Sequence, residues 1–123
     1  MSGERGSDQR LIIETGMGTD LQGGDVTRAA LRAVDDAMRR SSLPIFGAIG
    51  LDHGQMRVQV TLGTHDPAAV ETDRIAAHMP RGRVEVAAVP GGLHLEDGIV
   101  VVTAAVEAFL PVQTGRWRIV QDE

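Results

Sequence analysis

Apolar residues recur along the chain with two periods, and the places where one period gives way to the other mark out the elements. Arg10-Leu11-Ile12-Ile13-Glu14-Thr15, rich in isoleucine and closed by Gly16, reads as a short strand. A glycine-studded loop, Gly16 to Gly24, is expected next, and Asp25 is placed to N-cap a helix running to about Arg40. Within it Val26, Ala30, Ala33, Val34, Ala37 and Met38 form one apolar stripe, while Arg28, Arg32, Asp35, Asp36 and Arg39 cover the other side. Ser41, Ser42 and Pro44 stop the helix. Ile45–Gly50 and Gln55–Gly63 read as strands. The second alternates Met56, Val58, Val60 and Leu62 with Arg57, Gln59 and Thr61. Asp66 as N-cap and Pro67 at the first helical position predict a second helix to about Met79. Arg83–Val89 is a strand, Pro90-Gly91-Gly92 a break, and Ile99–Leu110 a further strand.

The order is therefore βαββαβ, with a short extra strand at Trp117–Val120. It predicts an α+β, ferredoxin-like fold with two helices on one face of a mixed sheet. Residues 1–9 read as a disordered leader, 10–112 as the single domain, and 113–123 as a tail. The second sheet face would lie open, carrying apolar residues as well as charges. A symmetric homo-oligomer, a trimer or a dimer, is the expected way to bury it.

At 123 residues with 42% hydrophobic positions, the chain can build one core without staples. The absence of cysteine removes disulfides, thiolate metal sites and thiol nucleophiles. All twelve basic residues are arginine, which removes Schiff-base chemistry and Ser–Lys dyads. Phe46, Phe109 and Trp117 are the only aromatics, so stacking platforms for bases are scarce. A net charge of −5 argues against a nucleic-acid partner. The apolar run Ile99–Val112 is interrupted by Thr103, Glu107 and Pro111 and is too short for a bilayer. With no signal-like N-terminus, a cytoplasmic protein is expected. His53, His65, His78 and His94 form no ligand-spaced motif, so neither a metal nor another cofactor is expected.

The Gly16–Gly24 loop departs from phosphate-binding patterns. Leu21 stands where a dinucleotide loop needs its third glycine, no lysine is available for a P-loop, and Asp20 and Asp25 would repel a phosphate. It reads either as a polar-substrate loop or as a tight turn that glycine alone explains.

The segment Ile13-Glu14-Thr15-Gly16-Met17-Gly18-Thr19-Asp20-Leu21-Gln22-Gly23 resembles the G-x-G-x-D-x-H-G signature of a small bacterial family of conserved hypothetical proteins. The likeness continues through Thr27–Val34, Ser42-Leu43-Pro44, Val58–Gly63, Gly82–Val86, Gly91-Gly92-Leu93 and Ala104–Glu107, and covers roughly residues 11–110. Gln22 stands in place of the signature histidine. That family is similar in fold to the ring-opening amidohydrolases, cyanuric acid hydrolase and barbiturase, in which three such units surround a central site. The resemblance implies a homotrimer with a small polar, ring-shaped ligand. The Ser–Lys dyads of those enzymes have no counterpart in a chain without lysine.

The candidate chemistry is carboxylate, arginine and histidine. Glu14 ends the first strand, Glu85 lies in a strand expected beside it, and Glu107 lies in the last. Glutamates among valines need partners when buried, which suggests a shared polar centre with Arg57 or Arg83; otherwise each faces water. His94, beside Glu96 and Asp97, is a candidate base that could replace what Gln22 lacks. Arg28 and Arg32, one helical turn apart, could clamp a carboxylate or imide oxygen, or simply be solvated. Ser41 and Ser42 read as a helix stop rather than as nucleophiles. The leading expectation is an acid–base enzyme at a subunit interface that hydrolyses a small polar ring or closes one with loss of water. Asp20 and Glu14 would activate the reacting group. Gln22 and the N–H groups of Gly16 and Gly18 would stabilise the oxyanion. The alternatives are an oligomeric metabolite-binding protein without catalysis, and an accessory subunit without a ligand.

Overall fold

The computed structural model describes residues 8–39, 56–79 and 83–111. Of the expected 1–9 leader, residues 1–7 lie outside the described residues and Asp8 and Gln9 open β1; the expected Ile45–Gly50 strand and the expected 113–123 tail, with its Trp117–Val120 strand, also lie outside them. The elements are β1 (Asp8–Asp20), α1 (Val26–Arg39), β2 (Arg57–Thr64), a 3-10 turn (Pro67–Ala69), α2 (Thr72–His78), β3 (Arg83–Pro90), β4 (Leu93–His94) and β5 (Val100–Pro111). The sheet runs β1-β5-β2-β3, with β4 added to β5. β5 is antiparallel to both β1 and β2, and β2 and β3 are parallel, joined through α2. This is the α+β, ferredoxin-like arrangement expected from the element order.

Alternation decides the two faces. On β2 and β5, Val58, Val60, Leu62, Val100, Val102, Ala104, Val106 and Ala108 are buried against α1 and Ile75 of α2. From α1 this core takes Val26, Ala29, Ala30, Ala33, Val34 and Ala37, close to the stripe read from the sequence. The other face carries Ile13, Met17 and Val89, which are 48%, 62% and 41% exposed, and among the described residues nothing covers that side, as expected.

Three elements depart from the sequence reading, the smallest being β4, which pairs Leu93 and His94 with β5 where the sequence predicts no strand. β1 does not stop at Thr15 but continues to Asp20, pairing through Gly16↔Ala104, Gly18↔Val102 and Asp20↔Val100. The glycines are there because α1 lies directly on them. A Cβ on Gly16 would come within 2.4 Å of the Ala37 nitrogen, and one on Gly18 within 2.1 Å of the Ala29 carbonyl oxygen. The second helix is also shorter than predicted, and Asp66 makes no side-chain cap. Thr27 of α1, fully buried, accepts the Glu71 N–H at 3.0 Å and donates to the Ala69 carbonyl at 3.5 Å. This tether draws Val70 into the core in an extended conformation and splits a 3-10 turn from α2.

Candidate functional site

The end of β1 is organised around Asp20, whose side chain is almost wholly buried. A buried carboxylate is costly unless its lone pairs are met. Here Oδ2 accepts the Asp25 N–H at 2.8 Å, and Oδ1 lies 3.6 Å from Arg28 Nη1 and 3.5 Å from Arg32 Nη1. Arg32 Nη1 also donates to the Thr19 carbonyl at 2.6 Å. Asp25 in turn caps α1 as predicted, its Oδ1 accepting the N–H groups of Thr27 and Arg28 at 3.0 and 3.1 Å. The predicted arginine clamp is thus turned towards Asp20, and the cluster latches strand to helix. Gln22 is exposed in the turn between them.

The remaining candidates are dispersed. Met17 sends its N–H away from β5, to Asp36 Oδ2 at 3.0 Å. Strand alternation therefore directs the Gly16 and Gly18 N–H groups into the ladder with β5, where they are not available to an oxyanion. Glu85 is not beside β1: β3 is the opposite sheet edge, three strand spacings or about 14 Å away. Glu14 pairs with Val106, a core-face position, whereas Glu85 and Glu107 flank Gln59 on the open face. The three glutamates therefore build no common centre. One of the anticipated arginine–glutamate pairings forms locally, Arg57 with Glu85, and Glu107 takes a partner not anticipated, Arg10. Arg57 Nη1 lies 3.5 Å from Glu85 Oε1, with its guanidinium 4.1 Å from the Phe109 ring centroid, and Arg10 Nη1 lies 3.0 Å from Glu107 Oε2. His94 stacks on His65 with ring centroids 4.1 Å apart, and reaches the row of Asp20 only across Val100. Among the described residues no group of three or more His, Asp and Glu side chains could hold a metal ion. No described helix is long and apolar enough to cross a membrane.

What the sequence reading missed is a groove of about 640 Å³ on the open face, within the size range of small-molecule pockets. Its floor is small and partly hydroxylated: Thr15, Thr61, Gly63, Thr103 and Ala105. The register explains the grouping, since Thr15 and Thr61 both oppose Ala105, and Met17 and Gly63 both oppose Thr103. Gly63 keeps the floor low, because a Cβ there would sit 2.6 Å from the Thr103 hydroxyl. Met17 and Val89 form apolar walls, and Glu14 and Asp36 stand at the β1 rim. The signal was present as small residues at alternate positions of β2 and β5. It becomes a site only once the strand order brings those positions side by side.

These features define an α+β domain with one helix-covered sheet face and one grooved, open face. The chain belongs to the Lin0512 family of conserved hypothetical proteins, whose model matches residues 10–115. It is similar in structure to an FtsZ-like protein of unknown function from Nostoc punctiforme. That crystal structure shares 30% sequence identity and a TM-score of 0.78, over 86% of this chain and 98% of the other. No curated protein matches the chain.

Proposed function

We propose that the protein binds a small, flat, polar molecule of the cyclic amide or imide class in the open-face groove. The observation that carries this reading is the groove's floor, in which Thr61 and Thr103 sit among glycine and alanine. A hydroxyl both donates and accepts, so it can meet the alternating N–H and C=O groups of such a ring. The apolar walls at Met17 and Val89 suit the ring's edges.

A second reading, that the ligand is also converted, is favoured by the carboxylates at the rim. Glu14 is the one candidate acid or base from the sequence reading that borders this groove, and from its core-face position its carboxylate would have to turn round the β1 edge to meet the ligand. Asp36 stands with it but is engaged by the Met17 N–H and by Arg39, 3.2 Å away. Glu14 would then move the proton as the ring is hydrolysed or closed with loss of water. Asp20, Glu85 and His94 take no part in this reading.

A thermal-shift panel of cyclic imides, pyrimidines and dicarboxylates tests both. A ligand present at a hundred times its Kd should stabilise the fold by about 2.7 kcal/mol, several degrees in Tm. Ala105→Phe, which fills the floor, should abolish that shift, whereas Glu14→Gln should keep it and remove turnover. A panel without any shift, or a shift that survives Ala105→Phe, rejects the groove as the site.

A further inference from the structure

The two edges of the sheet are finished differently. On β1 the outward-facing backbone is occupied by side chains of α1: Asp36 takes the Met17 N–H, and Arg32 donates to the Thr19 carbonyl. A register shift between Arg10 and Ile12 irregularises the same edge further down. These are ordinary devices for keeping a sheet edge from pairing.

β3 has none of them. The Arg83 N–H donates to the Met56 carbonyl at 2.9 Å and the Gly91 N–H to the Thr64 carbonyl at 2.9 Å, so odd-numbered residues face β2. The N–H and C=O groups of Val84, Val86 and Ala88 therefore point out of the sheet. Among the described residues nothing pairs with them. The helix packed nearest, α2, turns His78 to Asp35 on α1 at 2.7 Å and gives the strand no cap. The strand is eight residues long, pairs with β2 in unbroken register, and carries proline only at its last position.

We infer that the outer edge of β3 is the site where a second copy of this chain adds, antiparallel, to make one continuous sheet across a two-fold dimer. The occupant follows from self-complementarity. With the axis at Val86, Val86 opposes Val86 and Val84 opposes Ala88, so every outward N–H of this stretch meets an outward carbonyl. The same register extends the core layer, because the side chains of Val84, Val86 and Ala88 are half-buried against the core on one side and continue it on the other. It buries no lone charge: Glu85 comes to face Ala87 and is already held by Arg57 of its own chain. Pro90, without an N–H, ends the pairing where Gly91 and Gly92 turn away. Isologous pairing at this edge closes at two copies, so it makes a dimer and not the trimer expected from the sequence.

Native mass spectrometry of the whole chain, at concentrations spanning the micromolar range, reads the stoichiometry directly. A dimer is expected. Val86→Pro removes the central outward N–H without removing a bond to β2 and should weaken association at least about tenfold. Ala88→Pro serves as a second variant should the first disturb the fold. Hydrogen exchange on the unaltered protein provides an independent reading: the Val84, Val86 and Ala88 amides should be protected at high concentration and exchange freely on dilution. A monomer or trimer, or a dimer indifferent to both proline variants with those amides unprotected, overturns the inference.

Discussion

Replacing Gly18 by alanine adds one methyl group, and the structure says where it must go. The new Cβ would lie 2.1 Å from the Ala29 oxygen, 2.3 Å from the Ala33 nitrogen and 2.8 Å from the Arg32 carbonyl carbon. All three are helix backbone, held by the helix's own hydrogen bonds, so no side chain can swing aside. Restoring an ordinary contact of 3.4 Å requires α1 to move by about 1.3 Å. A gap of that size forfeits half or more of the dispersion energy along the helix–sheet seam. Overpacking of this kind costs about 1–3 kcal/mol, and a rigid helix spreads it over the whole buried stripe, which puts Gly18→Ala at the upper end. Alanine returns up to about 1 kcal/mol by restricting the unfolded chain, leaving a net loss of about 2 kcal/mol and roughly 10 °C in Tm. Gly23→Ala is the control. It has positive φ (+79°) and nothing within 4 Å of its Cβ, so only the backbone penalty of about 1 kcal/mol applies. Circular dichroism melts and urea titrations of both variants measure the difference. Should Gly18→Ala melt within 2 °C of the parent, or above Gly23→Ala, the close approach of α1 to β1 is not what keeps glycine at this position.

Two further substitutions probe the tethers. Asp20→Asn keeps an oxygen for the Asp25 N–H but discharges the pairing with half-exposed Arg28 and Arg32, and should cost about 1–2 kcal/mol while leaving any groove ligand bound; a lost ligand with an unchanged melt would return Asp20 to the site. Thr27→Val removes the acceptor of the Glu71 N–H and should cost about 1–2 kcal/mol, with the Glu71 amide exchanging faster; unaltered exchange would mean the tether does not hold α2 in place.

Periodicity made much of this fold legible. The α1 stripe, the Asp25 cap, the alternation of β2 and the Pro90-Gly91-Gly92 break all rest on local physics, and local physics is what a sequence displays. Gly16 and Gly18 misled because glycine serves two masters, φ freedom and absent bulk. The signal that separates them lay in α1, where Ala29, Ala33 and Ala37, one turn apart, present small side chains to the same seam. The glutamates show the other limit. Parity along a strand sets which residues share a face, but strand order and register set which strands meet, and those depend on packing across the chain. Glu14 and Glu85 could not be assigned to opposite faces and opposite edges before β5 was known to lie between β1 and β2. The groove was hidden for the same reason.

That position of β5 governs how the molecule can come into being. The strand that follows all the others in the described chain is the one both β1 and β2 require, with Gly16 joined to Ala104 and Leu62 to Ala104 as well. A sheet laid down hairpin by hairpin gains bonds as it grows; this one must wait. Until β5 arrives, β1 with α1 and β2 with β3 are two half-sheets, each with a bare inner edge and an uncovered apolar face. Joining them closes a loop of about 90 residues before most of the core is rewarded, which places the chain among slow, high-contact-order folders. The interval in which those inner edges stand open is also when the protein is most exposed to aggregation.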